Sequence, residues 1–291
     1  MITQFLNRFN LNNALFQFGV FITLFALLAC ADAGDVAPRA FGGLILIMVL
    51  AILTSQFIQR YAPLMGFQTI NLYISFVLVF LLIHPTQSYI WLVLACAVVV
   101  GQKYLLRPAI RLFNPTAFSL FTTYLVSKVA HSFGLSKPLL ISWWGTDMNQ
   151  SGFTSSEVLG VAIPSALLFG CIYFVLKFRK GLLAGTFFMT FMACVVLTDL
   201  SIHFSSTESL AFIMDSLFNS IAFLTCIMLC EPKTSPAFTK HQALIGMCGG
   251  LMLFMFTRTS WSSFVLADPL ITTLLLVNIA TYLFKKYGIL K

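Results

Sequence analysis

The sequence predicts an all-α membrane protein of about ten transmembrane helices, and three observations carry that prediction. Apolar residues make up 59% of the 291-residue chain and charged residues only 9%. The mean hydropathy is +0.94, outside the range of soluble domains. Apolar stretches long enough to cross a bilayer recur from one end to the other, and the basic residues between them sort by side. Lipid is then the solvent for most of the chain. A backbone in hydrocarbon must satisfy its polar groups within its own segment, which selects helices.

The expected spans lie at 14–31, 41–58, 69–84, 88–102, 115–132, 159–177, 181–199, 209–229, 242–257 and 268–285. The first lacks a convincing small-residue cleavage site and is followed by more spans, so it reads as a helix and not as a signal peptide. The third and fourth are separated by the turn Ile83-His84-Pro85-Thr86-Gln87-Ser88. The fourth and ninth are short, which suits a tilted or partly re-entrant segment. The fifth opens on Asn114-Pro115, a capping residue followed by proline at the first helical position. The gap at 133–158 is the longest between spans. The eighth carries Asp215 and, one turn later, Asn219. The tenth opens on Asp268-Pro269. No gap holds a soluble domain, so residues 1–291 read as a single polytopic unit.

Charge gives the orientation. With the N-terminus inside, the inner segments hold thirteen of the 17 basic residues: Arg8, Arg60, Lys103, Arg107, Arg111, Lys177, Arg179, Lys180, Lys233, Lys240, Lys285, Lys286 and Lys291. The outer segments hold Arg39, Lys128, Lys137 and Arg258. The positive-inside rule then puts both termini in the cytoplasm and residues 133–158 outside, as in a bacterial inner-membrane protein. Trp91, Trp143, Trp144 and Trp261 all fall toward the outer side, where either a membrane-boundary belt or an outer binding site uses them. The net charge of +8 resides mostly in the inner loops. Anionic lipid is its natural neighbour, and it calls for no nucleic acid.

Two pieces of sequence recur half a chain apart. Ile83–Ser88 is echoed by Cys230-Glu231-Pro232-Lys233-Thr234-Ser235-Pro236, and Asn114-Pro115 by Asp268-Pro269. Members of each pair lie five spans apart, hence on opposite sides. Two readings fit: an inverted five-plus-five repeat, whose sites form near the midplane, or the ordinary use of proline at helix starts.

Three stretches stand out as candidates for chemistry. They are Phe113-Asn114-Pro115-Thr116-Ala117-Phe118, Glu231-Pro232-Lys233-Thr234-Ser235-Pro236-Ala237-Phe238, and the outer-loop run Asp147-Met148-Asn149-Gln150-Ser151-Gly152-Phe153-Thr154. Physically they are a capped helix start, a hydroxyl-rich turn and a Gly-centred turn, all of which occur in ordinary structure. Taken in this order along ten spans, the chain resembles the RnfD/NqrB family, membrane subunits of the Rnf and sodium-translocating NADH:quinone oxidoreductase complexes. The first stretch is similar to the family's Phe-Asn-Pro-Ala motif after a basic inner loop. The second is similar to its Thr-Asp-Pro-Val-Thr-Ser-Pro motif, with Glu231 for Asp and Lys233 for Val. The third falls where the family carries Ser-Gly-Ala-Thr.

The resemblance implies FMN attached through a phosphoester to Thr154 by a flavin transferase, with Ser151 and Gly152 as recognition residues. It also implies a flavin-binding surface near Asn114 and Thr116. The chain departs from the pattern at Phe153, a bulky ring where the family has Ala. Asp147 also lies one residue farther from Ser151 than the acidic residue of the usual signal. Another flavin bound without a covalent bond is the alternative, and Trp143 and Trp144 are the aromatic rings offered for stacking. Other membrane subunits of a redox complex are the implied partners.

Asp215 and Asn219 share a helix face inside a span, where a carboxylate is costly. They read either as part of an ion or proton path or as structural hydrogen-bonding groups. His84, His131, His203 and His241 are dispersed, and Cys226 and Cys230 lie one turn apart within an apolar run. No metal or haem site is expected from either set. No phosphate-binding glycine loop, dinucleotide fingerprint, serine elbow or zinc-peptidase motif occurs. Two classes of function remain: a flavin-dependent electron-transfer subunit, coupled or not to ion translocation, and a flavin-free small-solute channel or transporter on the same scaffold. An assembly subunit that keeps only the scaffold is a third.

Overall fold

The computed structural model describes residues 13–61, 69–105, 112–146, 157–201, 220–231, 234–236, 239–258 and 268–287. These residues are helical with no strand, apart from one isolated antiparallel bridge between Ile83 and Ile141. The helices are α1 (Ala14–Asp32), α2 (Ala37–Tyr61), α3 (Thr69–Leu82), α4 (Tyr89–Val100), α5 (Pro115–Ser132), α6 (Glu157–Lys177), α7 (Gly181–Ser201), α8 (Ser220–Phe223), α9 (Thr239–Arg258) and α10 (Pro269–Lys286). π-helical turns prolong α4 through Gly101–Leu105 and α8 through Leu224–Met228. A helix falls on every expected segment, and on the described end of the eighth. Among the described residues, three stretches, Ala14–Asp32, Gly34–Tyr61 and Gly181–Thr198, are long and apolar enough, by length and composition, to cross a membrane.

Helix starts follow the capping chemistry of the sequence. Asn13 accepts from the Leu15 N–H, Ser88 from Ile90, Asn114 from Thr116 and Ala117, and Asp268 from Ile271. Each side chain satisfies a donor that the helix itself leaves open. Where limits differ from the hydropathy pattern, polar residues continue the helix. α2 begins before Arg39, whose guanidinium donates to the Gln87 carbonyl at 3.0 Å and lies 5.6 Å from the Tyr89 ring centroid. α9 begins three residues early, in the polar turn Thr239-Lys240-His241.

The core is built around α3. Every residue from Ile74 to Leu82 is buried, so this helix is covered on all sides. It packs against α1, α2, α4 and α5. By contrast, α2 buries one stripe and leaves Ile45, Ile52, Leu53 and Phe57 more than half exposed. Such a continuous apolar face suits hydrocarbon.

The most extensive helix pair is α7 with α9. Their backbones meet because α9 presents glycine. A Cβ on Gly246 would lie 2.6 Å from the Leu183 carbonyl oxygen, and one on Gly250 would lie 2.4 Å from that of Phe187. A small residue every fourth position is a known means of drawing membrane helices together.

Turns expected on one side of a bilayer meet one another. Arg39 reaches Gln87, and Trp143 reaches Asp268. On the other side Lys177 donates to Gln17, Lys180 Nζ to the Pro236 carbonyl at 2.5 Å, and Gln242 Nε2 to the Arg179 carbonyl at 3.1 Å. α5 and α10 run in opposite directions. The start of α5 meets Asn278 in the second half of α10, while the start of α10 meets Trp143, beyond the end of α5.

Candidate functional site at the start of helix α5

Asn114 is the hub of this region, with 2% of its surface exposed. Its side-chain oxygen accepts from the N–H groups of Thr116 at 3.0 Å and Ala117 at 3.1 Å. Its Nδ2 donates to the Met228 carbonyl at 3.2 Å, and its backbone N–H donates to Asn278 Oδ1 at 2.7 Å. Pro115 follows at the first helical position, where its missing N–H costs nothing. A single asparagine therefore ties α5 to α10 and to the turn that ends α8. No hydrophobic residue of similar size would satisfy these buried donors and acceptors.

The preceding π-turn completes the junction. Gln102 Nε2 donates to the Phe113 carbonyl at 3.1 Å. Lys103 Nζ donates to the Asn71 carbonyl at 2.6 Å and to Ser75 Oγ at 2.8 Å. Thr116 Oγ1 reaches the Ser75 carbonyl at 3.5 Å. Phe113 and Phe118 stack with ring centroids 5.5 Å apart, closing the apolar side of the motif. The π-turn carries both residues, and Gln102 is buried like Leu92, Ala95, Cys96 and Val99 before it.

The Glu231–Pro236 stretch begins three residues after Met228. Its carbonyl at Glu231 accepts from the Ser235 N–H at 3.1 Å and from Ser235 Oγ at 2.7 Å, and Thr234 Oγ1 donates to the Glu231 carboxylate at 3.3 Å. Thr234 and Ser235 are buried. This turn is folded by its own hydroxyls and anchored by Lys180 through Pro236.

A second cluster lies at the other end of α3. The last carbonyls of that helix have no helical partners, and the stretch after α5 supplies them. Trp144 Nε1 donates to the Phe80 carbonyl at 3.0 Å, the Gly145 N–H to that of Leu81 at 3.1 Å, and the Ser142 N–H to that of Leu82 at 3.0 Å. Gly145 is needed for this approach, since a Cβ there would lie 2.5 Å from a Leu81 methyl. Trp143 adopts φ +54° and is 3% exposed, with Nε1 donating to Asp268 Oδ1 at 3.2 Å. Trp144 is half-buried, edge-on to Phe80 at 5.3 Å. Both indoles, like buried Trp91, are packed into protein.

Of the sequence candidates, Asn114 and Thr116 come together, as do Trp143 and Trp144. The two pairs are separate: Asn278 and Asp268, which contact one member of each, are about 15 Å apart along α10. Ser151, Gly152, Phe153, Thr154, Asp215, Asn219 and Trp261 lie outside the described residues. The sequence reading did not single out Gln102 or Asn278. Asn278 carried a usable signal, an amide within the apolar run Leu274-Leu275-Leu276-Val277 and Ile279. The π-turn that carries Gln102 has no such signal. No family model matches the sequence, and no curated protein matches it.

Proposed function

We propose that this chain is an integral membrane electron-transfer subunit of the RnfD/NqrB type. In this reading the ten helical segments form two inverted halves in a bacterial inner membrane. Both termini are cytoplasmic, residues 133–158 lie outside, and a flavin works with partner subunits in electron transport coupled to ion movement. One observation carries most weight. One of the three family-like stretches, through Asn114 Nδ2, holds the carbonyl of Met228, three residues ahead of the second stretch at Glu231. A buried joint that ties the start of α5 to the approach to that turn is what a scaffold built on both stretches needs. The matching of inner turns with inner turns, and outer with outer, supports the alternation on which the topology rests.

The fit of a flavin differs among the candidate residues. Buried Trp143, with its indole committed to Asp268, offers no free ring face. Half-buried Trp144 retains part of its surface. When bound, FMN supplies the redox chemistry; the protein supplies position and exclusion of water. The work of Asn114 in this reading is to fix the start of α5 against α10.

The test is a denaturing gel imaged for flavin fluorescence, after coexpression with a flavin transferase. The wild-type band should fluoresce, Thr154→Ala should be dark, and Phe153→Ala should be brighter because a small residue opens the acceptor to the transferase. Wild-type protein that is colourless when purified and dark on the gel rejects the flavoprotein reading. A flavin-free channel or transporter is the second reading, favoured by the buried polar joint of Asn114, Thr116 and Asn278. Flux of small solutes in liposomes, by protein without flavin, is its signature.

A further inference from the structure

The turn between α6 and α7 holds a residue in a costly backbone conformation. Arg179 adopts φ +58°, the left-handed region that a Cβ disfavours. Its neighbours fix it there. The Arg179 N–H donates to the Leu176 carbonyl at 3.0 Å and the Lys180 N–H to that of Val175 at 2.9 Å, closing α6 in the way usually left to glycine. Gln242 Nε2, in the first turn of α9, holds the Arg179 carbonyl at 3.1 Å. Glycine would close the same turn without the cost. A cation beyond a helix end also answers the helix dipole, but Lys177 and Lys180 already stand there. The arginine therefore calls for a reason outside the turn.

Two observations supply that reason. The first is charge. Against thirteen basic residues, the segments expected inside hold one of the chain's nine acidic residues, Glu231. The Arg179 side chain is exposed, and so is Lys240, two residues ahead of Gln242. Among the described residues neither is paired with a carboxylate. The second is the helix face that leads to the turn. Phe169, Ile172, Tyr173 and Leu176 recur at helical spacing on α6 and are all exposed, so an apolar strip runs along the helix to Arg179. On the α7 side of the turn Leu182 and Met189 are exposed, and a Cβ on Gly185 between them would meet nothing within 4 Å.

We propose that the α6–α7 turn is a binding site for an anionic phospholipid, its phosphate held by Arg179 and Lys240 and an acyl chain lying along Leu176, Ile172 and Phe169. A guanidinium offers paired N–H donors to phosphate oxygens, and the lysine adds a second positive charge. The strip gives the chain an apolar bed directly beside the cations. Attraction between basic loops and anionic lipid is spread over the whole inner face. The strained arginine, at the end of an exposed apolar strip, picks out one place on that face. The flavin reading plays no part in this inference, and the proposed topology enters only in naming the leaflet, the cytoplasmic one.

The experiment follows thermal unfolding of the full chain in a neutral detergent, with phosphatidylglycerol, phosphatidylcholine or glycerol 3-phosphate added at one concentration and one ionic strength. A ligand that binds the folded state raises the midpoint. Phosphatidylglycerol should raise that of the wild type by several degrees more than phosphatidylcholine does. Arg179→Gly, which suits the left-handed position and so keeps the turn, should lose more than half of that difference, and Arg179→Lys should keep most of it. Arg179→Asn serves in place of the glycine variant should that one misfold, since asparagine also accepts this conformation. Equal shifts for the wild type and the folded glycine or asparagine variant overturn the proposal. So do equal shifts with the two lipids. A shift as large with glycerol 3-phosphate would mean a site for free phosphate and overturn the lipid assignment. Flavin fluorescence of the same preparation reports on the flavin reading separately.

Discussion

At the residue scale, Asn114 carries more of the structure than any other polar side chain in the candidate site. It accepts twice to start α5 and donates once to hold the end of the α8 turn. Asn114→Ala removes all three bonds in a buried place and leaves the Thr116 and Ala117 N–H groups without their acceptor. A lost cap costs about 1 kcal/mol, and orphaned buried groups add to it, for a total of about 2–4 kcal/mol. Asn114→Asp keeps the acceptor for both N–H groups and places negative charge at a helix N-terminus, which is favourable. It loses the donor to Met228, sets a carboxylate oxygen against that carbonyl and buries a charge, costs that the two retained N–H bonds offset in part. Thermal unfolding in detergent should therefore rank wild type above Asn114→Asp, and Asn114→Ala lowest. An alanine variant that melts with the wild type would remove Asn114 as the hub.

At the scale of elements, the α7–α9 pair depends on backbone approach. Gly250→Ala puts a methyl 2.4 Å from the Phe187 carbonyl oxygen and 3.0 Å from the Phe191 nitrogen, atoms that cannot rotate away. The helices must separate, at a cost of about 1–3 kcal/mol from lost packing. Gly185 of α7 is the control, since a Cβ there meets nothing within 4 Å. Gly185→Ala should be neutral, or stabilising by about 0.5–1 kcal/mol through helix propensity. Equal melting temperatures for the two variants would contradict the close approach. The helices themselves were legible from hydropathy because apolar run length and helix length report the same requirement. The starts of α5 and α10 were legible from Asn114-Pro115 and Asp268-Pro269, since capping is local chemistry. The junction was not. Asn278 lies far from Asn114 in sequence, the π-turns leave no compositional mark, and the burial of Trp143 follows from a fold-back onto α3 that depends on tertiary pairing.

At the scale of the whole molecule, charge and contact give independent support to one arrangement. The charge argument uses only the basic residues in loops, and the contact argument only hydrogen bonds between turns. Both place Lys177, Lys180 and Pro236 together on one side and Arg39, Gln87, Trp143 and Asp268 on the other. A missed or surplus span would reverse the order of every later turn and bring basic inner loops beside outer ones. The proposed orientation in the membrane rests on the excess of Lys and Arg in the segments expected inside. Reporter fusions test it directly. Green fluorescent protein joined after Lys291 should fluoresce, and alkaline phosphatase at the same point should be inactive, since the proposed topology puts that end in the cytoplasm. Phosphatase inserted after Lys137, an exposed position beyond α5, should be active. Activity at both points would mean an even number of crossings between them, where five are expected, and so one helix too many or too few. Inactivity at Lys137 would put residues 133–158 inside, and with them Thr154, removing the outer flavin from the proposed function.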